Sequence, residues 1–382
     1  MLKNKPKASY RKIKKMKIFI TGTRGIPDIP GGVEKHCQEL YPRIVALGHK
    51  VTIATRKSYV KTELPEWRGV DLKHIYSPQK KSLEAIIHTF LSVIEAKKSK
   101  ADILHIHAVG PGLLVPFAKL LGLKVVVTNH GPDYDRQKWG RAAKLMLRLG
   151  EWLGGRLADE VIVISGIIED IILKRCRRAS NVIYNGVNFP EGSDCEDFLH
   201  QIGVKPGSYV LAVSRFVPEK GLDLLIRSFS LLNTDYKLVI AGDADHTSNY
   251  SKKIKERINE NPNIIGTGYI TGKKLNQIYS NAGLFVLPSF HEGLPIALLE
   301  ALSYGIPVLV SDIPANKEID LPNERFFKCG DVTDLKRKLE QLIGKDLSEK
   351  EKYDIKQLLE EKYKWDLIAE RTIEVYNKAL RR

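Results

Sequence analysis

The 382 residues are 43% hydrophobic and 28% charged, the balance of a globular chain long enough for two domains. No apolar run approaches the ~20 residues that span a bilayer, and nothing near the N-terminus reads as a signal peptide, so a cytoplasmic location is expected. The four cysteines (Cys37, Cys176, Cys195, Cys329) are scattered, with no CxxC or Cys/His cluster, which argues against a disulfide framework or a zinc-finger site.

The net charge of +16 is lopsided: residues 1–190 hold 34 Lys+Arg against 16 Asp+Glu, and residues 191–382 hold 27 against 29. Eight of the basic groups fall in residues 1–17, with no acid among them. No zinc-finger or RRM signature accompanies this charge, so nucleic acid is not the expected partner. An anionic membrane surface fits better, each basic group near it contributing roughly 1 kcal/mol.

In chain order, short β-branched runs alternate with amphipathic stretches. Strands are expected at 17–22, 51–55, 103–107, 124–128, 161–164 and 182–184, with helices that include 33–47 and 141–157. The pattern then restarts, with strands at 209–214, 237–241, 263–266, 284–287 and 307–310. Helices fall between them near 221–232, 250–260, 272–281 and 295–303, and a last one covers about 364–380. Continuous apolar runs are the mark of strands buried on both faces of a parallel sheet. Two such series predict an α/β chain of two doubly wound domains. The break is expected near 185–208, where Asn, Gly, Pro, Ser and Asp cluster.

Four segments carry candidate chemistry. The first βα turn, Gly22 to Glu34, is glycine-rich without being GxGxxG. Gly31 and Gly32 would let the backbone approach a phosphate or sugar closely. Thr55 and Arg56 follow the second strand where a dehydrogenase would carry an acid for a ribose, which counts against NAD. His130, in TNHGPDY, follows another strand and is expected to point into an interdomain cleft, whereas His105 and His107 read as structural. After the first strand of the second series, Arg215 and Lys220 in SRFVPEKG flank a strand-to-helix turn, where two cations could neutralise a diphosphate.

The fourth segment is LFVLPSFHEGLPIALLEALSYGIPVLVS, residues 284–311. Pro295 suits a first helical turn, and Gly293 before it leaves free N–H groups for an anion. Glu292 is expected on the preceding loop and Glu300 two turns into the helix, about 12 Å further along its axis by helical rise. Glu300 lies among apolar neighbours, and its carboxylate can accept from a vicinal diol such as a ribose. No Asp-x-Asp follows a strand and no metal-ligand spacing is visible, so no metal and no cofactor are expected.

Together these segments resemble glycosyltransferase family 4, retaining enzymes of the GT-B fold, over about Met16 to Ala379. Glu292-x7-Glu300 is the most specific part, followed by SRFVPEKG, the Gly31-Gly32 loop and Asn185-Gly186-Val187 at the domain junction. GGVEKH and NHGPDYDRQKWG look like a bacterial or archaeal surface-polysaccharide subgroup. The resemblance implies that Arg215 and Lys220 bind the donor diphosphate, with Gly31 and Gly32 bordering it. It places Glu300 on the ribose, Tyr269 near the base and His130 by the reacting carbon of the sugar. Glu292, with the backbone of Gly293 and Leu294, would hold the sugar hydroxyls. Pro295 departs from the pattern, since many relatives have a residue with an N–H there.

The implied layout is a basic tail (1–16), an acceptor domain (17–188), a nucleotide-sugar domain (189–363) and a helix returning to the first domain (364–382). The implied activity is transfer of a hexose-type sugar from a nucleotide diphosphate to a glycan or polyprenyl-diphosphate-linked acceptor, at the inner membrane face. Three other readings remain: a nucleotide-sugar 2-epimerase of the same fold, an NADP-dependent oxidoreductase, and a non-catalytic sugar- or lipid-binding scaffold.

Overall fold

The structure is a computed structural model, and it describes residues 15–60, 64–78, 83–135, 140–190, 195–244 and 247–382. Most of the basic tail, and Arg136, Lys138 and Trp139 of the NHGPDYDRQKWG segment, lie outside the described residues.

The first half runs β1 (Lys17–Thr21), α1 (Gly32–Ala46), β2 (Lys50–Arg56), β3 (Glu66–Trp67), β4 (Val70–Ile75), α2 (Glu84–Lys98) and β5 (Ile103–His107). It continues through α3 (Val115–Leu120), β6 (Val125–Asn129), α4 (Arg141–Leu157), β7 (Glu160–Val163), α5 (Gly166–Cys176) and β8 (Asn181–Val182). These strands form one sheet in the order β3-β4-β2-β1-β5-β6-β7-β8, parallel except for the β3–β4 pair. Central strands such as β5 are buried along their whole length, which is why they read as unbroken apolar runs. The sequence reading passes over β4 because Asp71, Lys73 and His74 interrupt its apolar residues. Only the two-residue β3 separates that strand from the sheet edge, where polar side chains are tolerated.

The second half runs α6 (Asp197–Ile202), β9 (Tyr209–Val213), α7 (Leu222–Ser230), β10 (Lys237–Ala241), α8 (Asn249–Glu260), β11 (Ile264–Gly268) and α9 (Gly272–Ser280). Then come β12 (Leu284–Leu287), α10 (Ile296–Ser303), β13 (Val308–Ser311), α11 (Pro314–Lys317), β14 (Phe326–Phe327), α12 (Val332–Leu342), α13 (Glu349–Lys362) and α14 (Trp365–Arg381). Its sheet is fully parallel, in the order β11-β10-β9-β12-β13-β14.

The last helix returns to the first sheet. Trp365, Ile368, Val375 and Tyr376 of α14 share an apolar cluster with Ile18 and Ile20 of β1 and with Leu40 and Tyr41 of α1. The outgoing and returning chains lie side by side at the crossing. Val187 N donates to Tyr363 O at 2.7 Å, and Val187 bridges Lys364 in parallel. Gly186 is required beneath this crossing, because a Cβ there would stand 2.4 Å from the Trp365 ring.

Candidate active site

In a doubly wound sheet, ligands bind at the carboxyl ends of the strands where the winding direction reverses. In the first sheet β1 lies between β2 and β5, and in the second β9 lies between β10 and β12. The loops after β1, β5 and β6 therefore face those after β9 and β12. These loops carry Gly31, Gly32 and His130 on one side, and Arg215, Lys220, Glu292, Gly293 and Leu294 on the other.

The N-terminal wall begins at Gly31, whose φ of 143° few L side chains adopt. A Cβ there would also press on the Arg24–Glu34 ion pair, 2.1 Å from Glu34 Oε2. That pair (Nε–Oε1 3.1 Å) fixes the glycine loop, and the Arg24 guanidinium also donates to Pro30 O. Burial opposes ionisation of Glu34, but the Arg24 charge and hydrogen bonds outweigh it and hold the carboxyl below its usual range. Gly32 has nothing within 4 Å of where its Cβ would be, so the loop opens onto free space there.

Behind the loop lies a network of imidazoles. His107 Nδ1 and His130 Nε2 share a hydrogen bond at 2.8 Å. The Tyr41 hydroxyl lies 2.5 Å from His107 Nε2 and 3.0 Å from His105 Nδ1. His105 also meets the Tyr376 hydroxyl of α14 at 2.7 Å and Thr128 Oγ1 at 2.7 Å. Burial, helped by the neighbouring rings, pushes His107 and His130 well below the usual histidine range, and burial brings His36 down to about 4. These rings are neutral at pH 7.

The C-terminal wall is charged. Lys220 Nζ lies 2.6 Å from Glu292 Oε1, and Ser289 Oγ donates to the same oxygen at 2.6 Å. The Lys220 and Glu292 side chains are 18% and 9% exposed, so this is an inward-facing pair. Arg215 follows β9 directly and is half-buried. The helix after Glu292 differs from expectation. Pro295 is an extended cap residue (φ −76°, ψ 108°) and α10 begins at Ile296, so Glu300 sits on its second turn. The spacing of about 12 Å assumed helical rise through residues that are not helical. Glu300 is not a solvated helix residue: it accepts from the Tyr279 hydroxyl at 3.4 Å and stands 3.9 Å from Lys35 Nζ of α1. Burial raises the Glu300 pKa, with Lys35 and Tyr279 partly offsetting it.

The two walls touch at one point. A Cβ on Gly293 would lie 2.4 Å from the His130 carbonyl oxygen, so only glycine lets the loops meet. Beside this contact, Asn185 Nδ2 donates to Leu294 O at 3.0 Å while Oδ1 meets His36 Nδ1 at 3.0 Å. A cavity of about 170 Å³ lies next to it, lined by residues of both halves that include Lys35, Asn188, Tyr279, Glu300 and Trp365.

The structure thus gathers His130, Asn185, Glu292, Gly293, Leu294 and Lys220 around one gap. Tyr269 lies in the loop after β11 and is about half exposed. Sequence reasoning missed Lys35, His36, His107, Tyr279 and Ser289. Lys35 and His36 stand in the GGVEKH run already quoted, and the place of His36 on the buried side of an amphipathic α1 was the available signal. His107, read as structural, also meets His130.

The description "Glycosyl transferases group 1" matches residues 197–359, and "Glycosyltransferase Family 4" matches residues 30–189. An uncharacterised glycosyltransferase of Methanocaldococcus jannaschii is 26% identical over 96% of this chain and 99% of its own length. The Escherichia coli UDP-Gal:alpha-D-GlcNAc-diphosphoundecaprenol alpha-1,3-galactosyltransferase is 29% identical over 58% of this chain and 60% of its own. Among solved structures, Anabaena HepE in complex with UDP-glucose superposes with a TM-score of 0.77 at 17% identity, covering 95% of this chain and 99% of that one. With both halves matched in order and the two sheets facing across one cleft, the chain belongs to glycosyltransferase family 4, has the GT-B fold, and acts on a nucleotide-sugar donor.

Proposed function

We propose that the chain is a retaining hexosyltransferase that needs no divalent ion and elongates a lipid-linked glycan at the inner membrane face. The observation that carries this is the meeting of Lys220, Glu292 and His130 around the Gly293 contact. The Lys220 ammonium and Arg215 stand where a diphosphate would need countercharge. Its arrival gives Lys220 a second anion and frees Glu292 for sugar hydroxyls. Glu300 takes the ribose, Tyr269 borders the base, and His130 contacts the sugar near its reacting carbon. Gly31 and Gly32 border the diphosphate and the acceptor.

Transfer then runs on one face of the sugar. The bond from the anomeric carbon to the diphosphate breaks, and the acceptor oxygen bonds to that carbon from the same side. The acceptor proton passes to the departing diphosphate oxygen. The protein contributes position and stabilisation of the leaving charge.

A membrane partner is supported by α4. Leu145, Met146, Leu149 and Trp152 are exposed on this helix, with Arg141, Lys144, Arg148 and Arg156 around them. An apolar stripe flanked by cations is suited to an anionic interface. Among the described residues no helix is long and apolar enough to cross a membrane, so attachment would be peripheral. The E. coli relative named for a diphosphoundecaprenol acceptor points to the same acceptor class.

A panel of α-linked nucleotide sugars, assayed with polyprenyl-diphosphate-linked acceptors in the presence of EDTA, tests the reading. An α-linked product and undiminished turnover in EDTA are expected. A β-linked product rejects retention, loss of turnover in EDTA rejects metal independence, and equal sedimentation with anionic and neutral vesicles at low salt rejects the membrane partner.

A further inference from the structure

Three imidazoles converge at the inner end of the N-terminal wall. His36 comes from α1, His107 from the end of β5 and His130 from the loop after β6. One ring nitrogen of each lies within 4.8 Å of the others. Their chemistry can be worked out from the groups behind them. Asn185 Nδ2 donates to the Leu294 carbonyl, so the Asn185 atom facing His36 is the amide oxygen. That oxygen only accepts, so His36 Nδ1 carries the proton and Nε2 keeps its lone pair. Tyr41 occupies His107 Nε2, which leaves Nδ1 for the cluster, and Nδ1 meets His130 Nε2 at 2.8 Å.

We propose that His36, His107 and His130 bind one divalent cation of the Zn²⁺ class, in a three-imidazole site with its fourth position open to the cleft. The ligand set decides the class. Three nitrogens without a carboxylate suit Zn²⁺, Co²⁺ or Ni²⁺ and do not suit Mg²⁺ or Ca²⁺, which take oxygen. An ion about 2.0–2.1 Å from each nitrogen spaces tetrahedral ligands about 3.3 Å apart. His107 and His130 would therefore separate by about half an ångström, the ring that now carries the shared proton taking it on its other nitrogen (for His107 the Nε2 that faces the Tyr41 oxygen), and His36 would close in. Asn185 and Tyr41 play the part of the outer partners that fix the tautomer and orientation of metal-bound imidazoles. The open position follows from exposure, since His36 and His107 are buried and His130 is only partly so.

This ion would not serve the diphosphate, because Arg215 and Lys220 stand on the opposite wall. It would instead take His130 away from the donor sugar and slow transfer. That consequence rests on the role given to His130 above, whereas the site itself does not.

The full chain is stripped with a chelator and titrated with ZnCl₂ alone against a chromophoric chelator, then with Co²⁺ for its ligand-field spectrum. A Cys195→Ser background removes the exposed thiol as a competitor. One Zn²⁺ per chain and a tetrahedral Co²⁺ spectrum are expected. Binding should weaken at least about 100-fold in His36→Ala and in His107→Ala, and about tenfold in Tyr41→Phe, which removes an outer partner. His200→Ala, at an exposed ring, should bind as the parent does. No stoichiometric binding by the parent chain overturns the proposal. So does binding that survives the paired His36→Ala and His130→Ala changes in a chain whose circular dichroism shows it folded. Transfer that persists at saturating Zn²⁺ would overturn the role of His130 while leaving the site in place, so the two readings fail separately.

Discussion

Behind the glycine loop of the N-terminal wall the imidazoles are neutral and bonded into one network: His36 to Asn185, His130 to His107, and His107 through Tyr41 to His105. On the C-terminal wall the polar groups are charged, with Lys220 held by Glu292 and Arg215 following β9. A neutral network has no countercharge to exchange when an anionic donor arrives, because its donors already have their acceptors. A buried ion pair is different, since its members satisfy each other only until a stronger anion arrives. The first wall therefore sets position, and the second exchanges partners.

The largest effect should come from breaking the exchanging wall. Lys220→Ala is expected to lower kcat/KM by about 100-fold, equivalent to about 2.7 kcal/mol, while Lys220→Arg keeps a substantial part. Steady-state kinetics over a donor series measures it, and near-parental turnover in Lys220→Ala would remove the distinction between the walls. Next comes their point of contact. Gly293→Ala drives a methyl into the His130 carbonyl and should cost about 2 kcal/mol in urea unfolding, with a rise in donor KM. If Gly293→Ala is neutral in both measurements, the walls do not meet there in solution.

Glu300→Ala should reduce kcat/KM about tenfold, mainly through donor KM, with Glu300→Gln intermediate because its amide oxygen still accepts. The smallest effect concerns the cost of neutral imidazoles. Burial, with Arg56 adding to it, pulls His88 of α2 from 6.5 down to about 3. The unfolded chain protonates this ring below about pH 6.5 and the folded chain only near pH 3, so the unfolded state binds more protons between them. Stability is intact above that window and falls as the pH drops through it. His88→Leu should flatten this acid limb by about 1 kcal/mol between pH 6 and 5 in urea melts. An unchanged slope would show that this ring titrates normally in the fold.

Much of the fold could be read in the sequence because parallel strands buried on both faces leave an unmistakable pattern. Runs such as Ile103–His107 and Leu284–Leu287 carried it, and α4 was placed at 141–157 as found. What escaped includes β4 with its alternating polar residues, the two-residue strands β3 and β14, and the charge-rich helices α12 and α13, which no motif marked out. In the site, Lys220 and Glu292 could each be singled out, but their pairing could not, since a turn and a loop 72 residues apart meet only in the folded sheet. The same holds for His36, His107 and His130. They come from one helix and two strand ends, and no spacing rule connects them.

Asn185 is followed by glycine, the neighbour that leaves the next backbone nitrogen least shielded against attack on the asparagine amide. Loss of that amide would put a carboxylate oxygen where Nδ2 now donates, 3.0 Å from the Leu294 carbonyl, and repulsion would replace the link between the halves. The Trp365 ring lies over Gly186 and restricts the backbone motion that such ring closure needs. The returning helix therefore does more than tie the chain back to its first domain: it lays an indole over the Asn-Gly step at which deamidation of the cleft would begin.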